Sequence, residues 1–200
     1  MTTDRLPIVL AITGASGAVY SQRLLDCLVE CGIDVQLIIS PHGQRLLAEE
    51  LDIHKATPEA ILGRPSERVT LHSYRDVGSV LGSGSYLTGG MVICPCSSNT
   101  LAAVAAGLGN NLINRAAAVT LKEGRRLIVV NREMPMSRIE LQNALRLNEA
   151  GAVICPAAPG FYLKPQSIDD LVDFVVGRVL DLLAIPHSLN IRWRAPADHI

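Results

Sequence analysis

Aromatic side chains are scarce in this chain: two Phe, four Tyr and one Trp make up 4% of its 200 residues. A core short of large rings is filled by aliphatic residues and alanine, so helices pack closely, and an aromatic in an unusual place merits notice. Charge is also sparse. Charged residues amount to 18%, with 18 basic side chains against 19 acidic ones and a net charge of -1. That balance lacks the basic footprint of a non-specific nucleic-acid binder. With 48% hydrophobic residues the chain is also not of the disordered class. No window approaches the roughly 18 uninterrupted apolar residues of a membrane span. The start, Met1 to Arg5, has no basic region leading into an apolar stretch, so no signal peptide and a cytoplasmic location are expected.

Metal ligands are missing in any usable spacing. Cys27, Cys31, Cys94, Cys96 and Cys155 form no zinc-ribbon pattern, and His42, His54, His72, His187 and His199 do not pair. Buried, reduced thiols, no metal and no histidine catalysis are the expectation.

What is present is alternation. Apolar runs of strand length, Ile8 to Ile12, Val35 to Ile39, Met91 to Cys94, Arg126 to Val130 and Ala152 to Cys155, are interleaved with helical spacing. The helices are expected at Gly17 to Cys31, Gln44 to Leu51, Asn99 to Ala106, Asn110 to Leu121, Ser137 to Ala150 and Ser167 to about Leu183. Ser167 to Asp170 reads as a capping-box-like start. Strands apolar on both faces belong in a parallel sheet covered on both sides. The expected architecture is a doubly wound, Rossmann-like or flavodoxin-like three-layer α/β sandwich. It forms one domain over residues 1–200, with a core at about 6–185 and a tail at 186–200. Asp52 to Gly90 is the least regular stretch.

Ligands of open α/β sheets bind beyond the carboxyl ends of the strands. Small polar residues gather there: Thr13-Gly14-Ala15-Ser16-Gly17, Ser40, Pro95-Cys96-Ser97-Ser98-Asn99-Thr100, Asn131-Arg132-Glu133, and Pro156 to Tyr162. The first turn points backbone N–H groups and a helix N-terminus at an anion or a polar ring edge, but it is neither G-x-G-x-x-G nor a Walker loop. Ser97 to Thr100 adds hydroxyls and a carboxamide at another helix start, suited to a phosphate or a flavin edge. Arg132 could hold a phosphate, and Glu133 could move a proton. Each feature also has a plainer reading: a tight βα turn, an N-cap, a surface linker at Gly82 to Ser85, or an exposed Arg132–Glu133 ion pair.

Taken in order, Thr13 to Ala18, Ser83-Gly84-Ser85, Cys94 to Ser97 with Thr100 to Ala102, Asn110 to Ile113 with Arg115-Ala116, Arg132-Glu133 with Pro135, and Pro156 to Tyr162 resemble the UbiX/Pad1 flavin prenyltransferases. The resemblance runs from about Leu6 to Arg194. It implies an FMN-binding homo-oligomer, dodecameric in the family. Such enzymes join the dimethylallyl group of dimethylallyl phosphate to N5 and C6 of reduced FMN, without metal. The prenylated flavin then passes to a UbiD-type decarboxylase, as in ubiquinone synthesis.

Position by position, the resemblance implies FMN contacts at Gly14, Ala15, Ser16, Ser40, Ser97, Ser98, Asn99, Thr100 and Arg132. It places Tyr162 and Arg178 on dimethylallyl phosphate, with Lys122, Arg115 and Glu50 around that phosphate, some from a neighbouring subunit. The Ser83-Gly84-Ser85 loop belongs to the same substrate set. Ser16 and Glu133 handle protons, and Trp193 lies near the prenyl pocket. Asn131 departs from the family's usual proline. Two other functions fit the same fold: a flavin-dependent decarboxylase of the phosphopantothenoylcysteine type, which needs a histidine at the flavin, and a non-enzymatic flavin carrier. For the former, His72 is the nearest candidate, and a weak one.

Overall fold

The structure is a computed structural model that describes residues 5–189. Trp193 lies outside the described residues. Six strands form one parallel sheet in the order β3-β2-β1-β4-β5-β6. They are β1 (Ile8–Ile12), β2 (Val35–Ile39), β3 (Val69–His72), β4 (Gly90–Cys96), β5 (Leu127–Asn131) and β6 (Val153–Ile154). The helices are α1 (Ala18–Glu30), α2 (Pro41–Leu51), α3 (Pro58–Leu62), α4 (Ser98–Ala105), α5 (Leu112–Lys122), α6 (Arg138–Glu149) and α7 (Ile168–Leu182).

Every residue of β1, β2, β4 and β5 is buried, as their predominantly apolar runs require, and Gln36 and Asn131 are the polar side chains buried with them. Because successive side chains alternate across the sheet, each strand feeds two cores. Ile8, Leu10 and Ile12 join Leu24, Leu28 and Val176 on the face covered by α1 and α7. Val9 and Ala11 join Leu101, Ile113 and Ala117 on the face covered by α4 and α5. Leu24 is fully buried, and truncating such a leucine to alanine costs about 2–5 kcal/mol.

Three short elements were not expected from the sequence: α3, β3 and a 3-10 turn at Val80–Gly82. The stretch Asp52 to Gly90 contains α3 and the edge strand β3. Both are short, and β3 has an exposed centre, Thr70 and Leu71, so neither carries a clear period. The strand order reverses between β1 and β4, which places the switch-point crevice at their carboxyl ends. Among the described residues, no helix is long and apolar enough to cross a membrane.

Candidate active site

The crevice is built around Thr13. Its buried Oγ1 donates to Pro95 O at 2.7 Å and accepts from Ser97 N at 2.8 Å, so the end of β1 is clamped to the end of β4. Helix α2 lies along the turn that follows. A Cβ on Gly14 would sit 2.4 Å from His42 Cβ, and one on Gly43 would sit 2.6 Å from Ile12 O. Only glycine permits that approach at either position. Ser40 caps α2 by accepting from Gly43 N at 3.0 Å.

Further along α2, Glu50 reaches the start of α1. Its carboxylate accepts from Gly17 N at 2.9 Å and Ala18 N at 2.8 Å. Gly17, the N-cap of α1, has no side chain of its own to do this.

On the other side of the crevice, Ser97 is the N-cap of α4, accepting from Thr100 N at 3.3 Å and donating to Thr100 Oγ1 at 3.0 Å. Ser98 and exposed Asn99 complete the first turn. Arg132 and Glu133 do not pair with each other. Arg132 Nε donates to Ser16 O at 3.1 Å, bridging β5 to the turn after β1. Glu133 Oε2 accepts from Ser98 Oγ at 2.8 Å. Each of the two therefore braces a different loop, which corrects the exposed-ion-pair alternative.

The sequence reading placed no histidine at a strand end. The structure brings His42 there, in the first turn of α2 against Gly14. Neither Cys94 nor Cys96 is a nucleophile. Burial raises both thiols, Cys96 to about 12, so they stay protonated.

The substrate set is divided. Lys122 ends α5, five residues before β5 begins, and so lies at the amino edge of the sheet, opposite the crevice. There it meets the Ser83 to Ser85 loop, where Arg125 donates to Gly84 O at 2.5 Å and to Tyr86 O at 2.7 Å; Arg115, in the first turn of α5 at the other end of the helix, donates from Nε to Gly82 O at 3.1 Å. Lys122 Nζ itself contacts Glu123 at 2.5 Å. Five-residue strands separate this cluster from Gly14 to Ser16 by roughly 17 Å.

Arg178, on α7, lies beside the edge strand β6, lining a groove of about 320 Å³ with Cys155, Pro156 and Phe174. Tyr162 packs edge-on against Phe174 with ring centroids 5.6 Å apart. Among the described residues, Lys122 and the crevice are not brought together within one chain.

The carboxyl-edge donors suit FMN. Hydroxyls at Ser97, Ser98 and Thr100 and a carboxamide at Asn99 match a polar ring edge, and Arg132 matches a phosphate. The Oδ1 of buried Asn131, at the end of β5, is an acceptor without a partner among the described residues. Sequence reasoning overlooked Glu140, which also reaches Ser98 Oγ. The pattern Ser137-x-x-Glu140, a capping box confirmed here, was its readable signal.

Residues 2–180 match the family model described as Flavoprotein. The chain is 50% identical over 194 residues to a flavin prenyltransferase UbiX of Pseudomonas aeruginosa, covering 93% of each chain. A solved structure of AnUbiX (PadA1) in complex with FMN and dimethylallyl pyrophosphate is 39% identical, with a TM-score of 0.88 over 96% of this chain and 98% of that one. A dodecameric FMN-dependent UbiX-like decarboxylase from Escherichia coli O157:H7 is 36% identical, with a TM-score of 0.87 over 95% and 100%.

Proposed function

The chain belongs to the Flavoprotein family and, within it, to the UbiX flavin prenyltransferases, and from that premise we propose that it joins the dimethylallyl group of dimethylallyl phosphate to N5 and C6 of reduced FMN. The observation that carries this reading is the intact donor set at the β1–β4 crevice, in a chain half identical to a named flavin prenyltransferase.

Bound reduced FMN supplies the electron-rich ring positions. The protein's own residues do the rest. Gly14 to Ser16, Ser40, Ser97 to Thr100 and Arg132 seat the flavin. Lys122, Arg115 and Arg178 gather on the prenyl phosphate, with the Ser83-Gly84-Ser85 loop beside them, and stabilise the charge that develops as phosphate departs. Tyr162 and Trp193 line the prenyl pocket. A π face favours a cationic allylic group and keeps water away from it. Glu133 and Ser16 take the proton lost on ring closure, and Glu50 stands by the phosphate.

Lys122 and the crevice lie at opposite sheet edges of one protomer, so the reading requires that copies of the chain meet with one copy's Lys122 cluster against another's crevice. It is therefore a homo-oligomer, a dodecamer by likeness to the family. The same reading treats residues 1–200 as one flavoprotein domain in the cytoplasm. Its product passes to a UbiD-type decarboxylase in ubiquinone synthesis.

Purified protein given anaerobic reduced FMN and either dimethylallyl phosphate or dimethylallyl pyrophosphate should release a flavin heavier by one five-carbon unit. Mass spectrometry showing only unmodified FMN with both donors, beside an active control enzyme, refutes the proposal. The cysteine-decarboxylase reading is less supported by these relatives, but His42 at the crevice gives it a test. His42→Ala should retain prenylation.

A further inference from the structure

Ser98 Oγ stands between two carboxylates. It lies 2.8 Å from Glu133 Oε2 and in closer contact with Glu140 Oε1. A hydroxyl has one proton to give. It can satisfy one carboxylate, and the second contact is a hydrogen bond only when that carboxyl carries a proton and donates it to Oγ. The trio is therefore complete with one proton more than two ionised carboxylates and a hydroxyl contain.

Glu133 is exposed and Glu140 partly so, but Glu140 is the anion with the stronger hydrogen-bond donors. Ser98 first, and the Ser137 N–H at 2.6 Å with it, hold its carboxyl below the usual range. Glu133 has one weak backbone donor, Met134 N at 3.3 Å.

We propose that Glu133, Ser98 and Glu140 form a proton relay that draws the proton off Glu133 through Ser98 to Glu140. This rests on the prenyltransferase reading for the proton's source. A proton arriving at ionised Glu133 makes a carboxylic acid, whose O–H turns to Ser98 Oγ. Ser98 then passes its own proton to Glu140 and receives the one from Glu133. One O–H bond forms and one breaks at each oxygen. Glu133 is ionised again, Glu140 is the acid, and no electrons change hands. Partly exposed Glu140, whose bonds favour its anion, gives the proton to water. Glu140 touches no reacting atom and is a positioning residue.

Little else charged faces the trio. Helix α4 carries no charged side chain. From α6 comes Arg138, two positions before Glu140. From the turn after β5 comes Arg132, engaged with Ser16 O. Glu50 is engaged at Gly17 and Ala18. Among the described residues, no ion pair reaches Glu133 or Glu140.

The test uses flavin-free protein with 13C-labelled glutamate carboxyls, following the Glu140 titration by NMR. Ser98→Ala should raise the Glu140 midpoint toward the ordinary glutamate value. Glu133→Gln should lower it, because Ser98 then gives its proton to Glu140 undivided. In the Ser98→Ala background the Glu133→Gln effect should vanish. A Glu133→Gln shift of the same size without Ser98 overturns the relay, since charge alone would then couple the two.

Glu140→Gln keeps a capping-box residue at its position, so the fold survives. In the complete reaction it should lower kcat for ring closure roughly tenfold or more with the prenyl-donor KM unchanged. Ser98→Thr should recover rate that Ser98→Ala loses. A wild-type rate in Glu140→Gln overturns the relay. Absence of prenylated flavin from the wild type would overturn the function reading, while the titration cycle would still decide the relay.

Discussion

Replacing Glu50 separates its structural work from its chemical work. Helix α1 starts at Gly17, which sits at φ 115° and offers no capping side chain. Glu50, from α2, provides the acceptor for two backbone N–H groups. Loss of an N-cap acceptor costs about 0.5–2 kcal/mol. A carboxylate at the positive end of a helix adds about 0.3–1 kcal/mol where it is exposed. The contact at Gly17 is exposed, so the two effects overlap with solvent screening, and Glu50→Ala should cost about 1–2 kcal/mol. In a chain of this size each kcal/mol moves the thermal midpoint by about 2–4 °C, giving a fall of about 2–8 °C. Glu50→Gln keeps an acceptor and loses the charge, so roughly half of that fall should remain.

The measurement is thermal unfolding of flavin-free protein at fixed concentration, because ligand and assembly both shift midpoints. Amide exchange gives the local readout. Gly17 and Ala18 should exchange faster in Glu50→Ala, with the centre of α1 unchanged. A midpoint within about 1 °C of wild type, with both amides still protected, refutes the capping argument and leaves Glu50 to the phosphate alone.

Three further outcomes follow from the same geometry. Glu133→Gln should slow ring closure more than the first bond formation, seen by quenched-flow mass spectrometry; equal slowing of both refutes its role as base. Lys122→Ala and Arg132→Ala should each abolish activity, yet mixed assemblies refolded from both should regain part of it, because some composite sites then carry neither defect; an inactive mixture that assembles normally refutes sharing between subunits. His72 is held between Gln36 and Ser79 at 2.7 and 3.0 Å, and burial lowers its pKa. Below about pH 6.5 the unfolded chain takes up a proton that the native chain refuses, so stability falls as pH drops through that value toward the lower native pKa. Urea midpoints across this range should flatten in His72→Asn, and an unchanged slope refutes the assignment.

Much of this was legible in one dimension. The buried strands β1, β2 and β5 announce themselves as predominantly apolar runs, broken only by Gln36 in β2 and ended by Asn131 in β5, because a strand covered on both faces of a sheet has little polar side to show. Ser167 to Asp170 marked the start of α7 by side-chain chemistry alone, and the capping box is present. The residues Gly14 to Ser16, Ser97 to Thr100 and Arg132 share one edge because parallel strands place all their carboxyl ends together. The same logic hid β3 and α3. An edge strand with an exposed centre and a five-residue helix gain their order from neighbours rather than from their own period. Thr13 read as part of a glycine turn, and its clamp on Pro95 and Ser97 needed β1 and β4 side by side.

Local chemistry along the chain thus determined the elements, the parallel sheet and the family-like order of motifs, since each depends on residues a few positions apart. Tertiary structure alone decided which groups meet. It gave Glu50 to the start of α1, set Ser98 between Glu133 and Glu140, and sent Lys122 to the far edge from the crevice. Those pairings join residues 32 to 42 positions apart, or separate residues that the motifs had grouped. They are set by how helices cross over a twisted sheet, and no spacing in the sequence encodes a distance across it.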